Sequence, residues 1–116
     1  MTHTPFRPLF RALAVLGFSA VALTAHAQAV DVAAAEKLLE ASKCGKCHSL
    51  DKQKDGPSYK KTAAKYKGKA DAEAKLVTHL STGPMIEIDG VKEEHTKVKS
   101  KDEAEIKNLA RYILSR

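Results

Sequence analysis

Five consecutive residues, Cys44-Gly45-Lys46-Cys47-His48, bring two thiols and an imidazole together at a spacing that serves one chemistry well. Two intervening residues set the thiols at the separation of the two vinyl groups of a haem, to which both sulfurs can add. An imidazole directly after the second thiol then lies beneath the iron. The motif therefore reads as covalent attachment of one haem c, with Cys44 and Cys47 as thioether donors and His48 as the proximal iron ligand. Other uses of the pair fit less well. A thioredoxin-type dithiol expects a strand–helix–strand setting, which this Ala-, Lys- and Glu-rich chain lacks. A four-thiolate zinc site needs a second cysteine pair, and the chain has 2 cysteines in all. A simple disulfide accounts for neither the spacing nor His48.

The N-terminus reads as a targeting segment. Arg7 and Arg11 form a positive region, Ala12 to Leu23 an apolar run of secretory length, and Ala25-His26-Ala27 a small-x-small cleavage pattern. The run is short for a membrane span, and the separated arginines do not form a twin-arginine signal. The expected division is a secretory signal peptide over 1–27 and a single domain over 28–116, with no stable membrane anchor after cleavage. Export implies the periplasm. A domain of that size has a marginal apolar core unless a large apolar group joins it, and a tethered haem would do so.

The chain carries a formal net charge of +6, and its distribution is uneven. Nine lysines (Lys43, Lys46, Lys52, Lys54, Lys60, Lys61, Lys65, Lys67, Lys69) lie between residues 43 and 69, against Asp51 and Asp55. Lysine runs are commonly just solvated faces. Here the charge surrounds the haem-attachment segment, which suits docking of acidic redox partners. Nucleic acid is a poor fit, because aromatics are few and Phe6, Phe10 and Phe18 all fall in the signal segment.

The elements that must position this chemistry read as helical throughout. Asp31 caps a first helix to about Ser42, with Ala35, Leu38, Leu39 and Ser42 at helical spacing, running directly into Cys44. Tyr59 to Tyr66 forms a short helix after Gly56-Pro57. Asp71 begins another, with Leu76, Val77 and Leu80 on one face and Gly83-Pro84 as the stop. Residues 84–99 read as an irregular loop with turn signals at Gly83-Pro84 and Asp89-Gly90. Ser100 and Glu103 have capping-box spacing before the last helix, whose stripe is Ile106, Leu109, Ala110 and Ile113.

Over essentially all of the domain the chain resembles the small bacterial class I cytochromes c. The resemblance rests on Cys44 to His48 soon after a first helix, on Gly56-Pro57 downstream, and on the closing Asn108-Leu109-Ala110-Arg111-Tyr112-Ile113-Leu114. It implies an all-α fold packed around one haem, with Leu38 and Leu39 against Leu109 and Tyr112 where the first and last helices cross. It also implies that the carbonyl of Pro57 accepts a hydrogen bond from the proximal histidine. That bond fixes the ring and its Nδ1 proton and leaves Nε2 for iron.

The second axial ligand stays open between His95, Met85 and His79. The family places a methionine on the loop before the last helix. Met85 follows Gly83-Pro84 but lies well upstream of Ser100. Matching the last helix without gaps puts His95 at the family's methionine position, so His95 is preferred and Met85 is the alternative. Neither Ile86 nor Thr96 reproduces the proline that often follows that methionine. A histidine must be neutral to bind iron, and Glu93 and Glu94 beside His95 are expected to favour its protonated form.

The resemblance implies an electron carrier that breaks no bond of a substrate and so is not an enzyme. A haem subunit of a redox enzyme complex, and a haem sensor of gases or other small ligands, remain as alternatives. The sequence names neither donor nor acceptor.

Overall fold

The structure is a computed structural model, described here over residues 28–116; the expected signal segment, 1–27, lies outside the described residues. Four helices and one short hairpin follow each other along the chain. They are α1 (Val32–Ala41), α2 (Tyr59–Tyr66), α3 (Ala72–Thr82), β1 (Met85–Ile88), β2 (Val91–Glu94) and α4 (Glu103–Leu114).

Local chemistry sets most of the boundaries. Asp31 caps α1 by accepting a hydrogen bond from the Ala34 amide at 2.9 Å. The helix stops where Lys43 adopts φ +58°, and one 3-10 turn, Cys44–Lys46, follows. Ser58 caps α2 by accepting from the Lys61 amide at 3.1 Å. Gly83, at φ +62°, ends α3 in the left-handed conformation that glycine adopts without Cβ strain. The start of α4 differs from the expected capping box. Asp102 is the cap, accepting from the Ala104 amide at 2.8 Å. Ser100 instead accepts from the Asp102 amide and donates to the Glu105 carboxylate. An Asp two residues nearer the helix, directly before Glu103, takes the capping position from Ser100.

Residues 84–99 are not wholly irregular. β1 and β2 pair antiparallel, with Met85 opposite Glu94, Ile86 opposite Glu93, Glu87 opposite Lys92 and Ile88 opposite Val91. Asp89 and Gly90 both have positive φ, +51° and +81°, as the tight turn of a two-residue hairpin requires. The strand alternates, with Ile86 and Ile88 half-buried and Met85 and Glu87 exposed. The fold remains helical, with this ribbon as its one sheet among the described residues.

The core joins α1, α3 and α4, with Tyr59 of α2 and Val98 of the last loop. Leu109 and Ala110 have no exposed surface, so α4 is the axis on which the other helices pack. Leu38 is buried in the same cluster as Leu109 and Tyr112, and Leu39 packs at its edge. Polar ties fix the crossing of α1 and α4. Asn108 accepts from the Asp31 amide and donates to the Asp31 carbonyl, each at 2.8 Å, and the Tyr112 hydroxyl donates to Glu36 at 3.1 Å. Arg111 clamps Glu73 of α3 with two bonds of 2.8 and 3.0 Å.

Candidate haem site

The motif residues sit where the first helix is interrupted. The His48 amide donates to the Cys44 carbonyl at 2.9 Å, which folds the five-residue segment back on itself. The Gly56 amide donates to the Cys47 carbonyl at 2.8 Å and the Tyr59 amide to the Ser49 carbonyl at 2.9 Å. These bonds hold the segment 56–59 against the motif. As a result His48 Nδ1 lies 2.8 Å from the Pro57 carbonyl, to which it donates, and Nε2 is left free of that contact. Gly56 makes this approach possible, because a Cβ there would fall within 2.4 Å of the imidazole.

Cys44 and Cys47 are both free thiols, half-buried and not bonded to each other. Burial pushes the Cys44 thiol up from its ordinary value, more than its own backbone hydrogen bond lowers it, and the neighbouring Cys47 adds to the rise. Both cysteines and His48 line a cleft of about 680 Å³, whose other walls include Leu76, Leu80, Ile86, Ile88 and Ile113. That is ample room for a large, mostly apolar ligand.

The same cleft receives His95. Its amide donates to the Pro84 carbonyl at 2.9 Å, which carries the hairpin ladder one step further, and the Val98 amide donates to the Leu80 carbonyl at 2.9 Å. Gly83 permits this return, since a Cβ there would meet the His95 carbonyl at 2.6 Å. The rings of His48 and His95 stand 6.0 Å apart between centres, at 51° to each other. His79 also lines the cleft, with its ring 4.3 Å from that of His95. Met85 is not brought to this cleft. It is 65% exposed on the outward-facing side of β1.

The electrostatics of His95 differ from the sequence expectation. Burial first, and then the imidazole of His48, hold its pKa below the usual histidine range. The carboxylates of Glu93 and Glu94 do not reverse this. Both residues are exposed, and Glu94 is turned to Lys97 at 3.2 Å. The neutral imidazole that metal binding requires is therefore the favoured form. His79 is lowered too, by burial first and then by His95, His48 and Lys65.

Sequence reasoning did not anticipate Ile86 and Ile88 as a wall of the cleft. The alternation in Met85-Ile86-Glu87-Ile88, followed by Asp89-Gly90, was the available signal for a hairpin. Ser42 was also missed: it is buried and accepts from the Lys99 amide at 2.9 Å, tying the end of α1 to the loop that carries His95. No pattern in the sequence links those two positions.

A helical domain folded about an apolar cleft, with Cys-x-x-Cys-His in its wall, defines the class of proteins that hold haem through thioethers. Comparison with known proteins agrees. Residues 32–116 match the Cytochrome c family, and the chain belongs to it. It is 36% identical over 80 residues to cytochrome c-551 of Pseudomonas aeruginosa, covering 69% of this chain and 74% of that one. It is 40% identical over 63 residues to cytochrome c-551 of Allochromatium vinosum, covering 54% of this chain and 67% of the other. Among solved structures, the class 1 cytochrome MtoD of Sideroxydans lithotrophicus ES-1 superposes with a TM-score of 0.72 at 54% identity. That match covers 75% of this chain and 97% of that one. Cytochrome c552 of Nitrosomonas europaea gives a TM-score of 0.57 at 28% identity, over 69% and 96% of the two chains.

Members of this family are electron carriers that exchange electrons with redox partners, and they hold haem c covalently. The residues present fit that group. Cys44 and Cys47 match the attachment pattern, and the cleft beside them is mostly apolar with three imidazoles, those of His48, His79 and His95, in its lining. Among the described residues no group of three or more His, Cys, Asp or Glu side chains converges to hold a bare metal ion.

Proposed function

We propose that this chain is a periplasmic electron carrier, with residues 1–27 as a cleaved export signal and 28–116 as a domain holding one haem c. In this reading Cys44 and Cys47 would hold the haem through thioethers, and His48 and His95 would ligate its iron. The observation that carries the ligand pair is the 6.0 Å separation of the two rings. A metal–imidazole bond is about 2 Å, and the ring centre lies roughly 1 Å beyond the nitrogen, so two imidazoles on one metal stand about 6 Å apart.

The haem supplies reversible one-electron exchange between ferric and ferrous iron. The chain does the rest. Pro57 orients His48 and holds its proton on Nδ1, leaving Nε2 as the donor. Leu76, Leu80, Ile86 and Ile88 limit water at the site, and a drier site favours the less charged redox state. No substrate bond is broken in this role, so the protein is not an enzyme.

All nine lysines between 43 and 69 are exposed. They support docking of redox proteins with acidic surfaces, where charge raises the encounter rate more than the affinity. The exposed large apolar residues Val32, Leu50, Met85 and Val91 are scattered over α1, the loop before α2 and the hairpin. That pattern suits transient contacts better than a permanent place in an enzyme complex. No helix among the described residues is long and apolar enough to cross a membrane.

The deciding experiment is the absorption and EPR spectrum of the oxidised protein. A low-spin ferric iron without the methionine–iron charge-transfer band is the expected result. A high-spin spectrum that takes up carbon monoxide or imidazole readily would point to a ligand sensor instead.

A further inference from the structure

The imidazoles of His48 and His95 are supported unequally. His48 gives its second nitrogen to the Pro57 carbonyl, whereas His95 Nδ1 is buried and has no hydrogen-bond partner among the described residues. The ring packed against it is His79, at 4.3 Å and 57°. α3 presents His79 to the cleft because the residue shares a helical face with buried Leu76 and Leu80.

We propose that His79 is a positioning residue of the distal side, accepting a hydrogen bond from His95 Nδ1–H as the Pro57 carbonyl does for His48. The inference rests on the reading of His95 as an axial ligand. A histidine bound to metal through one nitrogen almost always gives the other N–H to a partner, and a buried donor without one is destabilising. Only a neutral imidazole has an acceptor nitrogen to offer. His79 is the ring packed directly against the unpartnered Nδ1 of His95. The rings are packed with centres 4.3 Å apart, and the terminal torsion of histidine is broad, so reorientation of His79 about it is the movement the bond requires.

Other acceptors are less well placed. Glu94 is engaged with Lys97, and Glu93 is exposed on β2. The Thr96 backbone is a competing acceptor for the His95 ring, but its geometry leaves Nδ1 without a hydrogen bond. A bond from Nδ1–H to His79 makes the His95 ring a stronger electron donor and favours ferric iron, so its loss should raise the reduction potential.

The test uses the haem-loaded protein with His79→Phe, which keeps a flat ring and loses the acceptor, and His79→Gln, which retains an acceptor. His79→Phe should stay low-spin while its potential rises and its EPR g-values shift, and His79→Gln should return both towards the parent. Parent values in His79→Phe, or equal shifts in both variants, would overturn the inference by showing that His79 only fills space. His95→Ala is measured alongside. Loss of its low-spin signal together with an inert His79→Phe overturns this inference alone, whereas an intact low-spin signal in His95→Ala overturns the distal assignment on which it stands.

Discussion

Gly56 and His48 occupy a shared space that admits no side chain at position 56. A Cβ on Gly56 would lie 2.4 Å from Cε1 and 2.7 Å from Nδ1 of His48, well inside van der Waals contact. Gly56→Ala must therefore push the imidazole away from the Pro57 carbonyl or move the 56–59 segment. Overpacking of this kind costs about 1–3 kcal/mol. The expected outcome is a lower melting temperature and a growing high-spin fraction in the ferric spectrum. An unchanged spectrum would show that the ring is not held where its ligand role needs it.

Covalent attachment through Cys44 and Cys47 has a direct mass signature. Protein matured in cells able to attach haem c should carry one haem on a chain beginning near Gln28. A chain that retains residues 1–27 would refute the cleavage. Haem lost on acid–acetone extraction, with a b-type pyridine haemochrome, would refute the thioethers. Replacing either cysteine with Ser should weaken retention of the haem, and replacing both should abolish covalent retention.

The distal assignment separates by substitution. His95→Ala should give a five-coordinate or water-bound iron that takes up added imidazole, while Met85→Leu, on the outward side of β1, should leave the low-spin spectrum intact. Imidazole donates more strongly than a thioether, so the potential should lie below that of a histidine–methionine site. The reverse pattern, with Met85→Leu abolishing the low-spin signal and His95→Ala sparing it, would assign the ligand to Met85.

Docking through the lysine-rich face predicts a dependence on salt. Exposed charges are screened beyond about 10 Å at 0.1 M ionic strength, so electron exchange with an acidic partner should slow as salt rises. Lys46→Glu with Lys60→Glu should slow it at low salt and leave the haem spectrum unchanged. Lys54 is a poorer choice because its Nζ donates to the Gly45 carbonyl within the attachment motif. A rate independent of ionic strength would make the lysines a solvated face and nothing more.

Acid should loosen the packing of α3 on α4 through Glu73. Hydrogen bonding from Arg111 comes first among the causes that hold the Glu73 carboxyl below its usual value, and it outweighs the desolvation that opposes it. A carboxyl whose pKa is lower folded than unfolded stabilises the fold fully above the unfolded value, near 4.3 for Glu. That contribution is lost as pH falls through the folded value. Glu73→Gln should therefore lower Tm slightly at pH 7 and flatten the acid side of the Tm–pH curve. The pair is partly exposed, which keeps the effect small. Parallel curves for the two proteins would show that the clamp contributes nothing.

Much of this protein is written locally in its sequence. The attachment motif is contiguous, so the placement of two thiols and His48 needs no information beyond the spacing of five residues. The helices follow from apolar periodicity and from caps such as Asp31 and Ser58, and the outer ends of α3 from Asp71 and Gly83. The N-terminal segment, 1–27, is legible only in composition. The lysine cluster is visible in the sequence as well, but its exposure is a property of the fold.

Tertiary structure decided the far side of the cleft. Whether Met85 or His95 enters it depends on strand alternation. A half-turn of register in β1 turns Met85 outward and Ile86 and Ile88 inward, and the last ladder bond, from the His95 amide to Pro84, sets that histidine at the rim. Four-residue strands carry only a short alternation, legible here beside Asp89-Gly90, but their pairing brings together residues that neither strand specifies alone. The lowered pKa of His95 likewise comes from burial first and then from the imidazole of His48, and not from the two carboxylates beside it in sequence. The contact of His95 with His79 joins a helix face to a loop that returns over it, and only the closed chain brings them together.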